Sequence, residues 1–347
     1  MARKQNKGGG KRQRAKQRAQ YDELDKYPVM PPHAFARIVR DKQTLNIIYQ
    51  IIEPPMTKKE QEQRDEILDI FIRSLTANIE EIDANPEAYI RTAMDKVIKA
   101  YGMKINKKSK SKIFYYLRRD LIGYGEMDVL MNDINVEDIS LDGTNVPIFA
   151  YHRKFESVET TCVWKTDHEL ESYVIKLAQR CGKHISVADP LLDATLMDGS
   201  RIVMKLGREV STRGSAFCIR RFKDDPFSPA DIVAFRTMSS LMVAYLWIAF
   251  QNEVPMLFVG GTASGKTTTL NAMCIFIPWQ MKIVSIESTR EVNIPQPNWV
   301  PGLTRQGFGG ESTDGVIGEF ELLKAALRER PEYIIVGEIR GAEAYVL

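Results

Sequence analysis

The residues whose types and spacing could do chemistry are concentrated at 260–268. There Gly260-Gly261-Thr262-Ala263-Ser264-Gly265-Lys266-Thr267 sets two glycines at phosphate-loop spacing ahead of a lysine and a hydroxyl. In such a loop the backbone N–H groups of Gly260, Gly261, Thr262, Ala263, Ser264 and Gly265 wrap the β-phosphate of a nucleoside triphosphate. Lys266 would bridge the β- and γ-phosphates, the Thr267 hydroxyl would ligate Mg²⁺, and Thr268 would carry the cradle into a helix whose first amides face the same anion. Moving a γ-phosphoryl group also takes an acid that supports the cation and a base that orients the attacking water. Two carboxylates are placed for this. Glu287 ends the apolar run 282–286, and Glu338 follows the run 333–336 with Gly337 between. If both runs are strands of one parallel sheet, both carboxylates stand at the same sheet edge. Glu287 then reads as the water-activating base and Glu338 as the metal-supporting acid, with Glu291 close behind. The bland alternatives are a Gly-rich surface turn for the loop and strand-end solvation for the acids.

The elements that must hold these groups follow from the surrounding pattern. Met256-Leu257-Phe258-Val259 predicts a buried strand before the loop, 268–274 a helix after it, and 282–286 and 333–337 two further core strands. Phe320, Leu323 and Leu327 mark an intervening helix that Pro331 stops. Strands alternating with helices around a phosphate loop predict a RecA-like parallel sheet with nucleotide at its carboxyl edge. Residues 230–251 predict one or two apolar helices leading into it. Upstream, 139–141, 147–151, 201–206 and 216–220 predict short strands, with Asp142-Gly143-Thr144-Asn145 as a turn and a helix at 170–181. Further back, Ile67, Phe71, Leu75, Ile79 and Ile82 recur at helical spacing. Asn85 and Pro86 open a second helix with Ile90, Met94, Val97 and Ile98 on its apolar face, and Ile113, Phe114, Leu117 and Leu121 stripe a third. The expected organisation is a basic tail at 1–20, a helical leader at 21–122, a mixed α/β domain at 123–228 and the RecA-like domain at 229–347.

Composition narrows the class. The chain has 347 residues and a formal net charge of +3, but residues 1–20 carry eight Lys or Arg and no acid, leaving 40 basic against 45 acidic residues beyond them. The basic excess belongs to the tail, whose composition cannot offset the entropy of ordering and which suits contact with an anionic membrane surface or nucleic acid as well as mere solubility. Four cysteines and four histidines show neither Cys-x-x-Cys nor metal-ligand spacing, so reduced thiols in the cytoplasm are expected. The longest apolar stretch, 241–250, is about half a membrane span, and no secretory signal opens the chain.

The chain resembles the type II/type IV secretion and pilus-assembly ATPases, most closely the archaeal branch that includes the archaellum motors. The likeness rests on Gly-Tyr-Gly-Glu-Met-Asp-Val-Leu-Met at 123–131, Glu137-Asp138-Ile139, Asp198-Gly199-Ser200-Arg201, the loop at 260–267, Ser285-Ile286-Glu287, and Leu-Arg-Glu-Arg-Pro-Glu-Tyr-Ile-Ile-Val-Gly-Glu-Ile-Arg-Gly at 327–341. It implies ATP and Mg²⁺ as cofactors, a homo-hexameric ring, and an N-terminal domain that folds over the nucleotide. It also implies a polytopic membrane platform protein as partner and a cytoplasmic place at the membrane face. Glu287 would be the catalytic glutamate of the family's acidic box and Glu338 its atypical Walker B acid. Arg201 and Arg220 are suggested as arginines that reach the phosphates, against a reading as ordinary surface charge. Two departures stand out. Ser288 occupies a position where the family usually carries Asp, and the chain stops at Leu347, inside the helix expected after Glu338. The family's histidine box is therefore absent and a C-terminally truncated domain is expected. A nucleic-acid motor of the same fold, prompted by the tail and the lysines of 104–112, is disfavoured by the acidic body and the lack of interleaved aromatics. A nucleotide-binding but inactive fragment is the other alternative.

Overall fold

The computed structural model describes residues 20–74, 85–222, 226–261, 264–304, 317–339 and 342–345. The chain divides into two compact units. One comprises Met1–Asp193 and Ile202–Arg221, the other Ala194–Arg201 and Phe222–Leu347.

The first unit is built on a sheet that the sequence reading saw only in part. Residues 21–52, expected as helical leader, form three strands instead: β1 (Tyr21–Met30), β2 (Ala34–Asp41) and β3 (Ile47–Ile52). The reason is physical. β1 is an edge strand, and its Asp, Glu, Lys and Pro28 are the residues that blunt such an edge; they hide the strand signal. β2 has the alternation its place demands, with Ala34, Ala36 and Ile38 inward. β3 pairs parallel with β6 (Glu156–Val163), which joins the meander to β5 (Pro147–His152) and β4 (Val136–Leu141), and β4 pairs antiparallel with β9 (Ala216–Arg220). The nine-stranded order is β1-β2-β3-β6-β5-β4-β9-β8-β7, where β7 is Leu191–Thr195 and β8 is Arg201–Lys205. The 142–145 segment forms the expected turn between β4 and β5, with Gly143 at φ 131° and Asn145 at φ 61°. A Cβ on Gly143 would lie 2.4 Å from the Arg213 carbonyl oxygen, so this position needs glycine for space as well as conformation.

A buried polar knot fixes the meander to the unit. Tyr27 and Tyr49 both donate to the Asp133 carboxylate at 2.7 and 2.6 Å, and the Tyr27 hydroxyl lies 3.0 Å from Nε2 of His152. His152 Nδ1 accepts the Lys154 N–H at 3.1 Å, so the neutral ring carries its proton on Nε2. Burial and the Asp133 carboxylate push both phenols up, which keeps them as donors. Hydrogen bonds to a charged acceptor of this kind contribute about 1.5–3 kcal/mol each.

Three helices pack beside this sheet: α1 (Lys58–Ser74), α2 (Pro86–Ala100) and α3 (Lys107–Leu121). Their core joins Ile67, Ile90, Met94, Val97, Ile113 and Leu117, the residues that the periodicity marked. Leu75, Ile79 and Ile82, expected to continue α1, lie outside the described residues. Asn85 accepts from the Ala88 N–H and caps α2, and Asn106 accepts from the Ser109 N–H and caps α3. The short α4 (Asp128–Asn132) and α5 (Asp167–Arg180) complete the unit.

The second unit places one three-stranded parallel sheet between helices. Its order is β11-β10-β12, with β10 (Ile283–Glu287) central between β11 (Trp299–Leu303) and β12 (Tyr333–Val336). All five residues of β10 are buried, as a central parallel strand requires. On one face Val284 and Ile286 meet Leu323 and Ala326 of α9 (Glu319–Arg328). On the other, Ile283 and Ile335 meet α6 (Pro229–Ala234), α7 (Ser240–Gln251) and α8 (Lys266–Cys274) through Ile232, Val243, Phe250, Ala272 and Met273. β11 escaped sequence reading because Pro301 interrupts it, and an edge position is where a strand tolerates proline. The strand expected at 256–259 is not formed: the backbone there joins no ladder, and Leu257 and Val259 are 74 and 82 % exposed. Apolar composition supplies the propensity for a strand, but a strand exists only against a partner edge, and no described edge pairs with this run.

Candidate functional site

The phosphate-loop sequence turns where its glycines require it. Gly265 sits in the left-handed region at φ 86° as the N-cap of α8, and a Cβ on Gly260 would meet the Ser264 hydroxyl at 2.6 Å. A side chain at Gly265 would be strained by the positive φ, and one at Gly260 would displace the Ser264 hydroxyl. Lys266 opens α8, and its ammonium donates to the Gly261 carbonyl at 2.7 Å, so the cation lies over the loop. Thr267 and Thr268 follow in the first turn, where the backbone N–H groups are free of intrahelical partners. Thr262 and Ala263 lie outside the described residues. Lys266 and the N-terminus of α8 thus adjoin Gly260 and Gly261, the neighbours that phosphate binding uses.

The carboxylate expected as base ends β10. Glu287 is 2 % exposed, and its Oε1 accepts the N–H groups of Glu291 and Val292, both at 2.8 Å. This bond pair folds 288–292 back over the strand end and explains why Glu291 lies close behind. The other oxygen, Oε2, is buried with no partner among the described residues. Desolvation pushes the carboxyl above the ordinary glutamate range, against the opposing effect of the two N–H donors. A buried carboxylate with one oxygen anchored and one unmatched is a directed acceptor.

Glu338 stands on the neighbouring strand end, after β12, where its Oε1 accepts the Ser288 hydroxyl at 3.2 Å. The residue that departs from the family pattern is thus itself in the site, as a hydroxyl donor to the second acid. Gly337, which separates Glu338 from its strand, has a role that the sequence did not disclose. A Cβ there would lie 3.2 Å from Cγ of Glu287, so glycine leaves room for the first acid. The helix of the phosphate loop is tied to the same edge: Asn271 of α8 donates to the Glu291 carbonyl at 2.7 Å and accepts the Asn293 N–H at 3.0 Å.

Arg290 was missed altogether. Its guanidinium lies between the Phe222 and Trp299 rings, 5.6 and 5.3 Å from their centroids, and sits in the strap that Glu287 holds. No local spacing announces a contact between residues this far apart in the chain. Trp299 is fixed in turn by its indole N–H, which donates to the Ser285 hydroxyl at 2.9 Å. Of the two suggested arginines, Arg220 is on β9 in the first unit, where its Nε lies 3.4 Å from Asp138 Oδ1 at an exposed position. Arg201 begins β8 and groups with the second unit. Arg340 and Gly341 lie outside the described residues.

The residues present fit a nucleoside triphosphate and a divalent cation: a glycine-shaped loop with its lysine, a hydroxyl at Thr267, and two carboxylates at one sheet edge, one of them with a buried unmatched oxygen. Known proteins resemble this chain over most of its length. A family model described as "Type II/IV secretion system protein" matches residues 152–347. The uncharacterized protein MJ0900 of Methanocaldococcus jannaschii is 38 % identical over 307 residues, which are 88 % of this chain and 54 % of that protein. The type IV secretion system protein VirB11 of Bartonella henselae is 28 % identical over 225 residues, 55 % of this chain and 62 % of its own length. Among solved structures, the Legionella pneumophila ATPase DotB is 19 % identical with a TM-score of 0.42, over 63 % of this chain and 60 % of that one. This chain spans about half the length of MJ0900. With more than half of its residues inside the family model, and with a RecA-like phosphate-loop unit carrying the site, the chain belongs to the type II/IV secretion ATPase family.

Proposed function

We propose that this chain is a motor ATPase subunit that hydrolyses ATP to drive the assembly or secretion of pilin-like subunits through a polytopic membrane platform protein. In this reading it works as a homo-hexameric ring on the cytoplasmic face of the membrane. The observation that carries it is the Glu287 carboxylate: anchored through Oε1, unmatched at Oε2, and held on the sheet edge to which Asn271 ties the phosphate-loop helix. Lys266 and the loop amides hold the phosphates, and Thr267 and Glu338 hold Mg²⁺, which when bound neutralises charge that develops on the phosphoryl oxygens. Glu287 accepts a proton from the attacking water, and burial, which raises its affinity for protons, strengthens it as a base. Arg201 and Arg220 supply positive charge to the phosphates in this reading. The basic residues of 1–20 hold the subunit near an anionic membrane surface.

Phosphate release by the purified chain with MgATP tests the assignment. Turnover is expected in the parent and none in Lys266→Ala, whereas alanine at Arg201 or Arg220 should slow turnover more than it weakens ATP affinity. Turnover unchanged in the lysine variant would remove the loop from the reaction. ATP binding without turnover in the parent would establish the inactive-binder reading.

A further inference from the structure

One end of the three-helix group is a pole of lysines that the proposed reaction does not use. Antiparallel packing brings the N-termini of α1 and α3 together with the C-terminus of α2. The Ser109 hydroxyl of α3 donates to Glu60 of α1 at 2.7 Å, the Gln63 amide meets the Lys104 carbonyl at 3.5 Å, and Lys110 pairs with Asp95 of α2 at 2.6 Å. Lys58, Lys59, Lys99, Lys104, Lys107 and Lys108 are all exposed at this end. Lys59 and Lys104 line a shallow pocket there with Thr57, Gln63 and Asn106. None of the six ammonium groups is held in an ion pair among the described residues. The acid at their centre, Glu60, is buried and already matched by Lys112, Ser109 and the Thr57 N–H, and the exposed acids of α1 begin with Glu62, Asp65 and Glu66. A one-signed cluster of this kind attracts anionic surfaces and molecules.

We infer that this pole is a docking surface for an anionic lipid membrane. It deepens the membrane-peripheral placement above by naming a surface of the folded unit rather than the tail. Two features favour lipid. The pole uses lysine, a point charge suited to a diffuse negative surface, without arginine's bidentate fork. A single large aromatic, Tyr101, is 61 % exposed beside them, which matches the pairing of Tyr with Lys at a lipid interface and falls short of the aromatic series that stacks bases. The surface also lies away from the residue where β1 begins. The chain enters β1 at Tyr21, whereas the opposite end of the β1–β2 pair reaches the helices, where His33 lies 3.1 Å from Ser111 of α3. Ten residues of strand span about 33 Å.

The test is co-sedimentation with vesicles of phosphatidylglycerol and phosphatidylcholine against phosphatidylcholine alone. The full chain would carry glutamine in place of every Lys and Arg of residues 1–19, so that the tail contributes no charge. Binding to anionic but not neutral vesicles is expected, falling steeply with salt. Adding Lys99→Gln, Lys104→Gln, Lys107→Gln and Lys108→Gln should weaken it by about a thousandfold, while arginine at the same four positions should keep it and show that the fold and the charge survive. Equal binding by the glutamine variant, equal binding to neutral vesicles, or single-stranded DNA binding in the absence of vesicle binding would each overturn the inference. Phosphate release without vesicles, expected to be unchanged by the four glutamines, separates a failure of this surface from a failure of the motor assignment.

Discussion

Two acids stand within one sheet edge, yet their surroundings differ, and the difference assigns their work. Glu287 is sealed by desolvation, fixed by two backbone donors and left with one unmatched oxygen. Glu338 is less buried and takes a hydroxyl from Ser288. A group that must accept a proton benefits from the first setting, and a group that must stay ionised beside a cation benefits from the second. Glu287→Gln keeps the shape and loses basicity, so ATP and Mg²⁺ should still bind while turnover falls about 10²–10⁴-fold. Glu338→Gln should lose Mg²⁺-dependent affinity together with turnover. Nucleotide affinity measured with and without Mg²⁺ separates them, and a metal defect in the Glu287 variant would reverse the roles. The burial of Glu287 has a stability consequence of its own. Its carboxyl is raised in the folded state, so the contribution to stability is fully present below the ordinary value of 4.5 and declines as pH rises through the folded value. The melting temperature of the parent relative to the glutamine variant should therefore decrease from acid toward neutral pH; a constant difference would contradict the burial argument.

At the scale of elements, the helices with periodic apolar faces and the short strands bounded by turn residues were legible, because burial on one face writes itself into local spacing. What was not legible depends on partners distant in the chain. β1 hides behind the charges that protect an edge, β11 behind Pro301, and the 256–259 run shows strand composition without a strand. The site divides in the same way. The loop and both acids could be read from their order along the sequence, whereas Gly337 making room for Glu287 and the Phe222–Arg290–Trp299 sandwich are facts of packing. Glu60 is the element-scale instance that can be measured. It caps α1 by accepting the Thr57 N–H and binds α3 through Ser109 and Lys112, and these partners, the Thr57 N–H foremost, hold its carboxyl down at about 2. A lowered carboxylate stabilises the fold above its unfolded value and loses that contribution as pH falls through the folded one. Glu60→Gln should lower the melting temperature at pH 7, and the deficit should close as pH falls from about 4.5 toward about 2. A deficit independent of pH would mean that the side chain acts by shape and not by charge.

For the whole molecule, the division into two units makes a ligand's effect a matter of location. Every residue placed around the phosphate loop and the two acids belongs to the unit of Ala194–Arg201 and Phe222–Leu347. The Asp133 knot and the β1–β3 meander belong to the other. A ligand that binds only the folded site stabilises what it touches by mass action, about 2.7 kcal/mol at a hundredfold excess over its Kd. Local opening reactions report this segment by segment, because amide exchange follows the free energy of the opening that exposes each group. Adding MgATP should slow exchange in 264–274 and 283–292, where α8, β10 and the strap held by Glu287 meet, while β1–β3 should exchange at an unchanged rate. Lys266→Ala should abolish the protection in both segments together, since Asn271 ties one to the other. Protection of the meander equal to that of α8 would show instead that nucleotide acts on the two units as one body.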